Sequence, residues 1–303
     1  MASYPHVEPS SKEDLFEQNR KLLFGIAYRM LGTVADAEDI LQEAWLRWQS
    51  ADHESIRSPK AFLTTIVTRL AINQLDSARH RREEYIGPWL PEPLIGEPDA
   101  DKNAELAESL SIAFLRMLER LSPVERAVFL LREVFEYDYA DVSQMVDKSE
   151  ANCRQILKRA REGLSAARGA KAPASVPSPQ DQAKLAKQFT SAIHAGDLAS
   201  LANLLSADIT LYTDGGGRIS AALNPIYGAD KVARFLVGVN RKFPHGMQQP
   251  AMVNGSLGAL IFDGDHLDSA MAFEFDGDRI SGLYVVRNPE KLRHLKASGN
   301  EQA

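Results

Sequence analysis

Over the first eighty residues, apolar side chains return every three or four positions. Leu15, Phe16, Leu22, Leu23, Ile26, Met30 and Leu31 form one stripe, and Gly32 follows where a helix can end in left-handed geometry. Ala37, Ile40, Leu41, Ala44, Trp45 and Trp48 form a second, headed by Asp36, Glu38 and Asp39, whose charges suit the positive end of a helix dipole. Ser58 and Pro59 then supply an N-cap and a first-turn proline. Phe62, Leu63, Ile66, Val67, Leu70 and Leu75 make a third stripe that runs into the basic "RHRR" of residues 79–82. The pattern predicts an all-helical unit.

Periodicity then stops. "GPWLPEPLIGEPDAD", residues 87–101, has four prolines and two glycines and predicts a linker or clamp. Helical spacing resumes near Asn103. "SPVE", from Ser122 to Glu125, has capping-box spacing, and Val128, Leu131 and Val134 follow on one face. Asp138 can cap a short helix through Met145, "VDKS" is a tight turn, and Ser149 can cap a further helix. On that helix Cys153 and Leu157 share a face while Arg154, Gln155, Lys158 and Arg161 point elsewhere. After the Pro-, Ala- and Ser-rich stretch 169–180 the pattern changes. Helices are expected at 182–195, 198–205 and 230–243, an apolar run at 209–212, and strands punctuated by "DGD" at 263–265 and 276–278, which suit hairpin turns.

Charge sharpens this division. The chain of 303 residues carries a net −6, yet residues 57–82 hold six basic side chains against Asp76 alone, and residues 83–108 hold eight acidic ones against Lys102 alone. The acidic stretch is read as a solvated linker, and the basic helices as an electrostatic footprint for phosphate. One cysteine, Cys153, excludes a disulfide framework and a cysteine-rich metal site. No apolar run approaches a membrane span and no secretory leader is evident, so a cytoplasmic protein is expected, with no membrane, cofactor or metal.

A short helix, a tight turn and a capped cationic helix make a helix-turn-helix, whose second helix fits the major groove of DNA. A solvated cationic face is the alternative at this point. The motifs together resemble the extracytoplasmic-function sigma factors. "DAEDILQEAWLR" resembles the helix these proteins present to the RNA polymerase clamp. "RSPKAFLTTIVTRLAINQLDSARHRR" resembles their promoter-melting segment, and residues 121–164 resemble their C-terminal helix-turn-helix domain, with Asp147 where glycine is frequent. "WLPEP", "DGGG" and "NPEKL" resemble three marks of the subgroup with a fused SnoaL-like domain, the mycobacterial sigma J-like group; Glu290 stands where that group usually has Asp.

The resemblance implies two all-α sigma domains followed by an α+β SnoaL-like (NTF2-like) domain. The expected boundaries are 10–86 for the core-binding and melting domain, 87–102 for a linker, 103–168 for the helix-turn-helix domain, 169–180 for a second linker and 181–295 for the SnoaL-like domain. It implies polymerase contacts from Asp36, Asp39, Gln42 and Glu43. It implies promoter contacts from Arg57, Lys60, Arg69, Asn73, Arg79, Arg81 and Arg82, and from Ser149, Asn152, Arg154, Gln155, Lys158, Arg159 and Arg161. Trp89, Leu90, Pro91, Glu92 and Pro93 are expected to meet Asp214, Gly215, Gly216 and Gly217, with Asn288, Pro289, Glu290, Lys291 and Leu292 as an anchoring tail. The implied function is promoter recognition with core RNA polymerase, regulated by the chain's own third domain without a separate anti-sigma protein. Two other classes stay open: a ligand-responsive regulator independent of polymerase, and a SnoaL-type enzyme. The latter would draw on His194, Tyr212, Asp214, His245, His266 or Asp276, which show no recognised catalytic spacing, so no catalytic residue is expected.

Overall fold

The computed structural model describes residues 11–96, 109–168, 177–243 and 246–298. The chain forms two compact units. The first comprises residues up to Arg79 together with Leu121–Glu162, and the second His80–Arg120 together with Gly163–Ala303.

In the first unit α1 (Lys12–Leu31) starts at a capping box between Ser11 and Asp14 and ends at Gly32, which takes φ 75° and donates its N–H to Tyr28 O at 2.7 Å. Helices α2 (Val34–Ser50) and α3 (Pro59–Glu83) complete a three-helix core of Leu23, Ile26, Met30, Leu31, Ile40, Leu41, Trp48, Leu63, Val67 and Leu75. The Trp48 indole N–H also closes the bundle on Lys12 O at 2.9 Å. Helix α5 (Pro123–Phe129) opens on the Ser122–Glu125 capping box and passes into one π-helical turn, Leu130–Val134. Helix α6 (Tyr139–Val146) is capped by Asp138, and Asp147 ends it with φ 54°, a conformation Asp tolerates better than most side chains. Helix α7 (Glu150–Arg168) follows at once, its first turn capped by Ser149 Oγ accepting from Asn152 N at 3.2 Å. Its inner face is Cys153, Ile156, Leu157, Ala160 and Leu164, all buried. Each fully buried Ile or Leu contributes about 1.5–3 kcal/mol, against about 1 for the cap, so packing rather than capping orients α7.

The second unit is built on a six-stranded sheet in the order β2-β1-β6-β5-β4-β3. Its strands are β1 (Leu205–Asp214), β2 (Ile226–Tyr227), β3 (Met247–Val253), β4 (Ser256–Asp263), β5 (His266–Asp276) and β6 (Arg279–Val286). Only β1 and β6 run parallel. The "DGD" turns lie between β4 and β5 and between β5 and β6, with Gly264 and Gly277 at positive φ. Helices α8 (Pro179–Ala195), α9 (Leu198–Leu204) and α10 (Ala229–Lys242) cover one face, where Met271, Phe273 and Phe275 of β5 meet Phe189, Leu201 and Val237.

Strand periodicity turns the alternate residues Ala270 and Ala272 to the opposite face, with Tyr284, Val286 and Val253. That face is also apolar and must be covered. Leu90, Leu292 and Ile112 of α4 (Ile112–Leu118) cover it. A sheet with two apolar faces therefore draws Leu90 and α4 into the C-terminal unit. A final helix, α11 (Arg293–Ser298), follows. Among the described residues no helix is long and apolar enough to cross a membrane.

Candidate functional site

Three surfaces gather the residues singled out by sequence. On α2, Asp39, Gln42 and Glu43 are exposed, and Leu46 beside them is 59% exposed, an apolar side chain on a charged face. Glu43 accepts from Arg47 Nε at 2.8 Å. Asp36 behaves differently: half-buried, it accepts from Thr33 Oγ1 at 2.5 Å and from Gln74 Nε2 at 3.1 Å, so it staples the start of α2 to α3.

The second surface joins α3, α6 and α7. Arg57, Lys60 and Asn73 are exposed, as are Ser55 and Ser58 in the loop before α3. Arg69 donates from Nη2 to Gln144 O at 2.7 Å and from Nε to Met145 O at 3.1 Å. These carbonyls close α6, where the helix leaves acceptors unfilled and its dipole is negative. Thr64 and Tyr137 share a hydrogen bond of 3.0 Å, the Lys60 ammonium lies 5.7 Å from the Tyr137 ring, and Arg126, buried, donates to Met30 O at 2.7 Å. Helix α3 is thus packed against Tyr137 and the carbonyl end of α6. The side chains of Arg79, Arg81 and Arg82 lie outside the described ones.

On α7, Ser149, Arg154, Gln155, Lys158, Arg159 and Arg161 are exposed and Asn152 is half-buried. Several are internally paired. Arg154 bonds Glu150 at 2.9 Å and lies over the Tyr139 ring at 4.6 Å, Lys158 is 3.9 Å from Glu162, and Arg161 meets Glu133 at 2.8 Å. Exposed pairs of this kind are worth about 0.2–1 kcal/mol, so they hold these side chains only weakly.

The third surface is a buried polar knot. Asp214, at the end of β1, is fully buried. Its Oδ2 accepts from Lys291 Nζ at 2.7 Å and from Leu90 N at 2.8 Å, and its Oδ1 from Tyr85 Oη at 2.6 Å and Gly216 N at 3.1 Å. Lys291 also donates to Leu90 O, and its ammonium lies 4.2 Å from the Trp89 ring centroid and 4.8 Å from that of Tyr85. Burial first, then the hydrogen bond to Asp214 and its charge, push the Tyr85 phenol far above its ordinary range, so it stays protonated and donates. Asn288 Nδ2 donates to Tyr85 Oη at 2.8 Å, and its backbone N–H to Asp214 O at 2.9 Å.

The three glycines are required by space. A Cβ on Gly216 (φ 60°) would collide with Asn288 Nδ2 and Tyr85 Oη, one on Gly217 would lie 2.8 Å from Ile86 Cδ1, and one on Gly215 would lie 2.5 Å from Ile219 O. Leu90, Pro91 and Pro93 are buried, Trp89 and Glu92 half-buried, and His294 Nε2 lies 2.8 Å from Pro93 O. Leu292 is buried beneath the same segment's cover, Pro289 is half-buried, and Glu290 is exposed in an ion pair with Arg218 at 3.1 Å.

The possible acid–base groups are spread out. His194 and His266 are exposed on α8 and β5. Tyr212 is stacked on Tyr284 at 5.5 Å, with the Arg116 guanidinium 3.6 Å from its ring centroid. Asp214 is committed to Lys291, Asp276 is half-buried at the end of β5, and His245 lies outside the described residues.

Sequence reasoning missed Tyr85, Arg116, Arg126 and Asn254. For Asn254 a signal existed, since Asn-Gly between strand-like runs marks a hairpin. For the others no local pattern distinguishes them.

Residues 15–81 match Sigma-70 region 2, and residues 111–164 match Sigma-70, region 4. The chain is 40% identical over 293 residues to the ECF RNA polymerase sigma factor SigJ of Mycobacterium tuberculosis, covering 91% of this chain and 92% of that protein. It is 30% identical over 287 residues to the probable ECF RNA polymerase sigma factor SigI of the same species, covering 92% and 94%. The crystal structure of M. tuberculosis SigJ superposes with a TM-score of 0.74 at 35% identity, covering 92% of this chain and 97% of that one.

Proposed function

This chain belongs to the extracytoplasmic-function sigma factors, which direct RNA polymerase to promoters, and on that premise we propose how its surfaces divide the work. The exposed face of α2, with Asp39, Gln42 and Glu43, binds the clamp of core polymerase in the cytoplasm. The segment Ser55–Pro59, with Arg57, Lys60 and Asn73, receives a base extruded from the opened strand, because base edges are hidden in a stacked duplex. Helix α7 enters the major groove at the upstream element, Arg154, Gln155 and Lys158 meeting base edges and Arg159 and Arg161 phosphates.

An upstream element and a separate opened segment lie apart along the duplex by ~3.4 Å for every intervening base pair. Arg69 of α3 bonds Met145 O directly, and the four residues from there to Ser149 span at most about 14 Å. A promoter whose two elements lie several helical turns apart engages both readers only after α3 and α6 part, and Arg69 then exchanges the α6 carbonyls for phosphate.

The C-terminal domain regulates that exchange without chemistry of its own, in place of a separate anti-sigma protein. The observation that carries this reading is the buried bond set joining Asp214 and Lys291 to the backbone of Leu90 in the linker. Run-off transcription with core polymerase tests it. Proteins truncated from Asn288, and separately from Gln180, are expected to differ several-fold from the full chain on the same promoter. Full-length behaviour in both reduces the third domain to a tethered passenger.

The polymerase face has its own test. Asp39→Lys reverses a charge on an exposed position and is expected to leave thermal unfolding unchanged while weakening core binding about tenfold, the scale of one lost charged contact. Unaltered affinity in a titration against core polymerase removes α2 from the interface.

A further inference from the structure

The β3–β4 hairpin turns on Asn254 and Gly255, both at positive φ (51° and 70°), the two-residue turn that Asn-Gly favours. Asn254 is 1% exposed although it sits at a hairpin tip, because its polar groups are used on the chain's own backbone. Its N–H donates to Leu94 O at 2.8 Å, and its Oδ1 accepts from Leu94 N at 2.9 Å. Its Nδ2 donates to Leu110 O at 3.1 Å. Alongside, Ile95 pairs with Val253 in an antiparallel bridge, and Gly96 N donates to Met252 O at 3.3 Å.

One carboxamide thus holds the end of the linker and the start of the segment leading into α4, sixteen positions later in sequence. A flexible chain of that length would separate its ends by roughly 20 Å or more. Here the separation is set by the two arms of a single amide. We propose that Asn254 is a positioning residue that fixes the path from the linker into the helix-turn-helix segment, so that promoter-spacer preference depends on the C-terminal domain and not on the contour length of residues 95–109. This rests on the reading above, in which that domain governs the linker. It adds a second grip, separate from the Asp214–Lys291 knot and outside the "DGGG" and "NPEKL" segments.

The substitution that isolates the effect is Asn254→Gly. Glycine adopts the same positive φ, so the turn is kept while the side-chain bonds to Leu94 N and Leu110 O are lost. Asn254→Asp keeps an acceptor for Leu94 N but turns an oxygen toward Leu110 O in place of the donor. Full-length protein and core polymerase are assayed by run-off transcription on promoters differing only in spacer length. A Gly-Ser insertion after Asp99 is tested in each background.

In the native background the insertion is expected to leave the spacer profile unchanged. Asn254→Gly is expected to lower the ratio of best to off-length spacer by about threefold to tenfold, the scale of one or two buried hydrogen bonds, and to make the profile sensitive to the insertion. Asn254→Asp should fall on the same side. An unchanged ratio in Asn254→Gly, or a uniform loss at every spacer, overturns the proposal, the latter marking a purely structural residue. The truncation from Asn288 is run in parallel. If it alters transcription while Asn254→Gly leaves the spacer ratio alone, only this inference fails; if neither has an effect, the regulatory reading fails with it.

Discussion

Asp214→Ala is expected to destabilise the C-terminal unit by about 3–5 kcal/mol, the cost of stranding one member of a buried ion pair. Lys291 would keep its charge among Tyr85, Trp89 and the Leu90 carbonyl with no counter-ion from Asp214, and Leu90 N and Tyr85 Oη would lose their acceptor. Surface ion pairs do not reach this size; Lys291 and Asp214 do because their side chains are 6% and 0% exposed. Trp89 lies against the Lys291 ammonium, and the other two tryptophans, Trp45 and Trp48, belong to the first unit, so urea unfolding followed by fluorescence with and without Trp89→Phe identifies the transition of the second unit. Asp214→Ala combined with Lys291→Met is expected to recover part of the loss, because removing both charges leaves none stranded. The same single variant should shift promoter-directed transcription as the Asn288 truncation does. A loss below about 1 kcal/mol, the value of an exposed pair, would mean that the knot does not hold the linker.

Arg154→Ala with Lys158→Ala is expected to weaken promoter binding by about 5- to 150-fold, the 1–3 kcal/mol of a base-specific contact, while leaving the fold intact because both side chains are exposed. The bonds these cations make in the free protein, to Glu150 and Glu162, return little when given up. The measurement is promoter affinity across salt concentrations. Loss of a base contact relaxes preference at one position, whereas loss of a phosphate contact lowers the salt slope by about one and weakens all sequences alike. Native affinity and native slope in the double variant would exclude α7 as the reader.

The closed packing of α3 on α6 changes how such data are interpreted. Arg69 is proposed as a promoter contact, and in the structure it fills the carbonyl end of α6. On that proposal its substitution is expected to act on two states at once, loosening the packing of α3 on α6 and weakening the DNA-bound state. Lys158 and Gln155 carry no such ambiguity, since neither bonds outside α7 among the described contacts.

What the sequence determined by itself is what neighbouring residues can decide. Ser11, Ser122 with Glu125, Asp138 and Ser149 cap helices through bonds spanning three residues, and Asp147, Gly32, Gly264 and Gly277 turn the chain through their own φ preferences. Apolar spacing then fixed which side of α7 is inside and left its cations outside. Tertiary structure alone decided the partners of buried polar groups. Asp214 meets Lys291 across 77 positions and Leu90 across 124, and Arg69 reaches Gln144 across 75. Asp36 and Asp39, three residues apart on one helix, part company because only Asp36 lies within reach of Gln74. A charge or amide in sequence carries no mark of whether it will be solvated or buried. That outcome depends on which distant backbone the folded sheet brings against it, because a buried polar group is stable only where a partner is in place.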